Sequence, residues 1–172
     1  MIFQLTGYSD TGKTTLAAAW TSHLTDRGYV VCVIKHHGHK GVPLTTGDDG
    51  KDTARYRKAG AESSLVVSDS EFQWTGANPP PLKTLIHLVE TTEPDVILIE
   101  GFKESDYPKA VLVRGTEDAD LVRKSTNVKA VICPGKKEMD GLAKAGIEAL
   151  PLEEKQQVIH SLTTLLIGDD TP

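Results

Sequence analysis

The sequence predicts an α/β fold with a mostly parallel, doubly wound sheet and helices on both faces. Three observations carry that expectation. Short apolar runs of strand length alternate with segments of helical period, the pattern of successive βαβ units joined by right-handed crossovers. Two of those runs, 29–35 and 96–99, are apolar without alternation, as parallel strands covered on both faces should be. Finally, Gly7-Tyr8-Ser9-Asp10-Thr11-Gly12-Lys13-Thr14 fits G-x-x-x-x-G-K-[ST] in full, with a strand before it and a helix after it. That phosphate-binding loop makes the expected fold P-loop NTPase-like.

Taken in order, Ile2-Phe3-Gln4-Leu5 is the first strand, and residues 13 to 27 are the first helix. Leu16, Trp20 and Leu24 recur there at helical spacing, Arg27 sits in the last turn, and Gly28 stops it. The run 29–35 is the next strand. Residues 36–51 are polar, rich in glycine and broken by Pro43, which predicts a long loop of the kind that compact domains keep for function. A short helix over 53–59 stops at Gly60, and strands follow at 64–67 and 71–74. Pro79-Pro80-Pro81 leads into a helix over 82–90 whose core stripe is Leu82, Leu85, Ile86 and Val89. Val96-Ile97-Leu98-Ile99 is a buried strand ending at Glu100, with further strands at 110–114, 128–133 and 147–150 and a last helix over 153–167. There is no internal repeat.

At 172 residues the natural expectation is one domain spanning 1–172. Its two cysteines lie in apolar runs, too few for a disulfide framework and placed as inert buried thiols. With no leader-like segment after Met1 and no membrane-length apolar run, a cytoplasmic protein without a membrane is expected. A formal net charge of −5 argues against a general nucleic-acid surface.

The motif assigns chemistry directly. Glycines at 7 and 12 let consecutive N–H groups of the loop, including those of Asp10 and Thr11, approach a phosphate, and the helix start adds its free donors and positive end. Lys13 reaches the outer phosphates, and Thr14 offers a hydroxyl to Mg²⁺. A second carboxylate is needed at the end of a neighbouring buried strand. Glu100 fits that place, whereas Asp95 begins its strand and is better explained as a turn residue after Pro94. Asp52 has two readings, a helix N-cap and a contact to the metal's water. The cluster Lys35-His36-His37-Gly38-His39-Lys40 has three: anion recognition, a solvated strand end, and metal binding, although its spacing matches no closed zinc site. Lys103, Lys109 and Arg114 could bring positive charge to the same edge. Arg55 and Arg57 are expected to be solvated charges.

Four segments in order, Gly7 to Thr15, Val33 to His39 (VIKHHGH), Lys51 to Ala61 (KDTARYRKAGA) and Asp95 to Lys103 (DVILIEGFK), with Pro108-Lys109 after them, resemble the MobB family of molybdopterin-guanine dinucleotide biosynthesis. The resemblance spans the chain to about residue 115 and weakens beyond it. It implies a homodimeric GTP-binding protein with weak GTPase activity that assists attachment of GMP to molybdopterin, with GTP and Mg²⁺ as cofactors. The implied partners are a molybdopterin guanylyltransferase of the MobA type and molybdenum-insertion enzymes. By matching motif, Gly12, Lys13, Thr14 and Thr15 hold phosphate and metal, and Glu100 is the acidic residue near the metal. Molybdopterin or its guanine dinucleotide would be the second ligand, received by His37, His39, Lys103 and Lys109.

Guanine specificity rests on that resemblance, because Thr126-Asn127-Val128-Lys129 is followed by Ala130 where a base-reading N-K-x-D motif would need an acid. The loops after residues 114 and 133 are the expected base pocket. The alternatives to a guanine-nucleotide accessory protein are an ATP-dependent small-molecule kinase, a metal-delivery GTPase, and a non-catalytic nucleotide-sensing adapter.

Overall fold

The structure, a computed structural model, describes residues 1–38, 44, 47, 48 and 50–168. The chain divides into two compact units, Met1–Gly38 with Ile86–Pro172, and His39–Leu85.

The larger unit carries six parallel strands in the order β2-β5-β1-β6-β7-β8 among the described residues: β1 (Ile2–Gly7), β2 (Val31–Lys35), β5 (Val96–Glu100), β6 (Lys109–Leu112), β7 (Val128–Cys133) and β8 (Leu150–Pro151). Its α1 (Lys13–Asp26) and α6 (Lys155–Ile167) cover one face of this sheet. Phe3 and Leu5 of β1 point to that side, into a core with Leu16, Trp20, Leu24, Val158 and Leu162. Trp20 meets Phe3 edge to face at 5.3 Å between ring centroids and donates its indole N–H to Thr163 Oγ1 at 3.0 Å. This fully buried ring therefore has both its apolar body and its one polar atom accommodated. On the other face, Val111, Val113, Val131 and Cys133 pack with Leu142 and Ile147. Burial raises the Cys133 thiol pKa, consistent with an apolar role for it.

Two helices on that second side were not expected from sequence: α4 (Ala119–Lys124) and α5 (Lys136–Lys144). Each is short, and α5 turns only Leu142 fully inward, so neither shows a stripe long enough to stand out. The strand expected at 147–150 is shorter and later, at Leu150–Pro151, with Ile147 packed as a loop residue. The strand expected to be buried on both faces at 29–35 is the edge strand, with Val33 46% exposed. Among the described residues β2 has only β5 beside it, an edge position that an apolar run in sequence does not distinguish.

The smaller unit contains α2 (Asp52–Lys58) and the antiparallel hairpin β3 (Ser63–Val67) and β4 (Phe72–Gly76). The helix α3 (Leu82–Glu90) begins in this unit and ends in the larger one, where Ile86 is buried. Hairpin register places Leu65 opposite Trp74 and Val67 opposite Phe72, so these four side chains share one face. All four are exposed.

Candidate functional site

Gly7 is the last residue of β1, next to the end of β6. Its φ is +151°, and a Cβ there would lie 2.3 Å from the Leu112 carbonyl oxygen, so only glycine lets the chain leave the sheet at this point. Gly12 closes the turn at φ +84° as the residue before α1, and a Cβ on it would strike Leu152 at 2.9 Å. Between them Asp10 holds a left-handed φ of 60°. The loop thus ends at the start of a 14-residue helix whose first N–H groups have no intrahelical partner, the arrangement that binds phosphate.

Lys13 and Thr14 are the first residues of that helix. The Lys13 ammonium folds back to donate to the Tyr8 carbonyl and, at 3.3 Å, to Thr11 Oγ1. Burial lowers its pKa, with Glu100 pulling the other way and Lys103 and Lys35 adding to the depression. An anion in the cradle would relieve that crowding of positive charge. Thr15 is exposed on the same turn.

Glu100 ends β5 one strand away from the P-loop strand, and its carboxylate is nearly buried. Its Oε1 accepts a hydrogen bond from Thr14 Oγ1 at 2.7 Å, which joins the motif's hydroxyl to the second carboxylate. One hydroxyl and one carboxylate are hard oxygen donors, the set that suits Mg²⁺ when phosphates and waters complete its shell. A positive group already occupies the spot, since Lys35 Nζ lies 2.7 Å from both oxygens. The residues therefore fit the metal implied by the motif: Thr14 and Glu100 would hold it, and it would supply charge neutralisation at the phosphates.

Lys35 escaped the sequence reading as a site residue of its own. Its signal was the strand register, which pairs Lys35 with Glu100 across β2 and β5 and which sequence alone does not show.

After Glu100 the chain turns through Gly101 and Phe102, both at positive φ. The turn is held from beneath by Gln4, a fully buried β1 residue whose Nε2 donates to the Gly101 and Phe102 carbonyls at 2.5 and 2.7 Å. This support brings Lys103 to the P-loop, where its ammonium stands 4.0 Å from the centroid of the Tyr8 ring. Arg114 approaches the same ring at 5.2 Å and is anchored by buried Asp118 through Nε at 2.9 Å and Nη2 at 2.5 Å. The Arg114 hydrogen bonds hold the Asp118 carboxyl below the usual carboxylate range.

Lys109 does not reach this edge. It starts β6 opposite Gln4, three positions before Leu112, is wholly buried, and donates its ammonium to the Ser105 carbonyl. Burial lowers its pKa. Lys109 thus supports the 101–108 loop from inside the sheet, where alternation with Val111 and Val113 directs its side chain. His36 packs its ring on Phe102 at 4.9 Å, and His37 is exposed beyond it, while His39 lies outside the described residues. No group of three or more His, Cys, Asp or Glu side chains able to hold a metal occurs among the described residues. Asp95 serves the structure, with Oδ2 accepting the Val30 N–H at 2.7 Å.

Asp52 belongs to the smaller unit. It is the first residue of α2 rather than its N-cap, which is Lys51, and its carboxylate faces Arg55 at 3.4 Å. Arg57 is not a solvated charge: it pairs with buried Asp48 at 2.9 Å and donates to Ser64 at 2.5 Å. After β8, Leu152 lies against Gly12 at the start of α1, and the Glu153 carboxylate accepts the Lys136 N–H at 3.0 Å.

Comparison with known proteins follows the same lines. The family model described as molybdopterin guanine dinucleotide synthesis protein B matches residues 2–134. A probable molybdopterin-guanine dinucleotide biosynthesis adapter protein of Bacillus subtilis is 37% identical over 138 residues, covering 80% of this chain and 79% of that protein. An adapter protein of the same name from Haemophilus influenzae is 35% identical over 64% of this chain, which spans 61% of its length. The crystal structure of Bacillus subtilis MobB superposes with a TM-score of 0.76 at 31% identity, covering 93% of this chain and 96% of that one.

Proposed function

This chain belongs to the MobB family of molybdopterin guanine dinucleotide synthesis, and we propose that it serves there as a GTP-binding adapter with slow GTPase activity. In this reading it binds Mg²⁺·GTP at residues 7–15 and assists a guanylyltransferase in attaching GMP to molybdopterin. The observation that carries the reading is the 2.7 Å contact between Thr14 of the phosphate loop and Glu100 of the neighbouring strand. Together they offer a metal two protein oxygens beside an anion cradle, which a glycine turn of chance sequence would not do.

Lys103 supports the second ligand. Its exposed ammonium lies over Tyr8 at the mouth of the cradle, so an anionic pterin could meet a cation and an aromatic face close to the outer phosphates. The test is dinucleotide formation by a purified guanylyltransferase with molybdopterin, with and without this chain. Stimulation that requires the intact P-loop is the expected result. Equal stimulation by Lys13→Ala protein would separate the adapter role from nucleotide binding.

The smaller unit supplies a surface for self-association. A two-stranded hairpin is marginal alone, and this one leaves Leu65, Val67, Phe72 and Trp74 between 47% and 68% exposed on a single face. A second copy of the chain, presenting the same face about a two-fold axis, would bury both. Sedimentation at micromolar concentration should give a dimer for the native chain and a monomer for Phe72→Glu/Trp74→Glu. A monomeric native chain would rule this assembly out.

A further inference from the structure

Lys35 ends β2 and Glu100 ends β5, and the two are register partners in adjacent parallel strands. The sheet therefore fixes both backbones at one level, leaving only the lysine stem to move. The ammonium donates to Thr14 Oγ1 and to Glu100 Oε1 over 2.7 Å each, while the threonine hydroxyl donates to that same carboxylate oxygen over 2.7 Å. A divalent ion such as Mg²⁺ takes oxygens of this kind at about 2.0–2.1 Å and in near-octahedral geometry. An ion bound to these two oxygens would stand in the space that the ammonium fills at 2.7 Å from both, and two cations that close repel, so metal and ammonium compete for the position.

We propose that Lys35 is a tethered stand-in for the divalent cation. In the nucleotide-free protein it holds Thr14 and Glu100 together. It yields both when metal arrives with a triphosphate, and its charge then passes to the phosphate oxygens. This rests on the reading of Thr14 and Glu100 as the metal's residues.

The consequence is a linkage between metal and nucleotide. Metal arriving alone must displace two charge-assisted hydrogen bonds, which the half-exposed ammonium can exchange only for water. Metal arriving with a triphosphate meets no such opposition, because the phosphates give the ammonium a partner. Lys35 thereby makes each ligand favour the other, within the range of about 5- to 150-fold typical of such coupling. A purely structural ion pair joining β2 to β5 behaves differently: its loss would change stability and leave the preference for metal-with-nucleotide as it was.

The experiment measures Mn²⁺ binding to the full chain by electron paramagnetic resonance of the free ion, with and without GTP. Lys35→Met removes the charge and keeps the stem. It should tighten Mn²⁺ binding to the nucleotide-free protein by about tenfold and shrink the GTP-dependent gain by a similar factor. Lys35→Arg, still cationic, should remain closer to wild type. In a Glu100→Gln background the Lys35→Met effect should vanish. Thermal unfolding gives a second readout, with Mn²⁺ alone raising the midpoint of Lys35→Met more than that of the wild type. Unchanged Mn²⁺ affinity in folded Lys35→Met overturns the inference. Absence of GTP-dependent Mn²⁺ binding in the wild type would instead overturn the assignment of Thr14 and Glu100, and the inference with it.

Discussion

Lys13→Ala protein should fold normally and lose about 100-fold in affinity for the triphosphate. Truncating one side of a hydrogen-bonded charge pair costs about 2–5 kcal/mol, and 3 kcal/mol corresponds to roughly that factor. Burial depresses the Lys13 pKa, opposed by Glu100 and reinforced by Lys103 and Lys35, so a bound phosphate would add a favourable partner for its ammonium. The fold does not depend on it. Its hydrogen bonds go to Tyr8 and Thr11 of its own loop, and it belongs to neither hydrophobic cluster. Calorimetric titration with GTP, paired with a thermal unfolding curve, separates the two effects. Wild-type affinity in the folded variant would show that the phosphate loop does not bind the triphosphate.

Glu100→Gln should keep most nucleotide binding and lose Mg²⁺-dependent hydrolysis by about 100-fold, the few kcal/mol that a held metal ion is worth at a transferring phosphoryl group. The amide retains an oxygen able to accept from Thr14 and the shape that fills the end of β5. It removes the charge that would favour the metal and its water. Lys35 loses its carboxylate at the same time, but its side chain is 48% exposed and can turn to solvent. Single-turnover hydrolysis at saturating GTP is the measurement. Turnover equal to wild type would show that the Glu100 carboxylate does not hold the metal.

What could be read from sequence follows from how local each feature is. The phosphate loop was legible because all its parts lie in eight consecutive residues, and the structure sets Gly7 and Gly12 at positive φ there. Glu100 was legible from its place at the end of an apolar run, since a buried parallel strand delivers its last residue to the ligand edge. Lys35 and Lys109 were harder. Both are lysines beside strand ends, yet register sends one to the Glu100 carboxylate and alternation sends the other into the interior beneath the 101–108 loop. Nothing in their immediate neighbours distinguishes these fates. Gln4 carries no signal in sequence beyond its place in the first strand, whereas its amide holds the turn after Glu100. The helices α4 and α5 were obscured by brevity and polar composition, because a helix that buries one or two side chains leaves little periodic trace.

The proposed preference for guanine has the least local signal, since the loops after residues 114 and 133, expected to meet the base, carry no recognised base-reading sequence. Equilibrium titration of the nucleotide-free chain with Mg²⁺·GTP, and separately with Mg²⁺·ATP, tests the central claim most directly. A guanine-nucleotide adapter predicts one saturable GTP site per chain, weakened by chelating the metal and at least tenfold tighter than the site for ATP, a difference of about 1.4 kcal/mol. No saturable GTP binding, or equal binding of ATP, would contradict it.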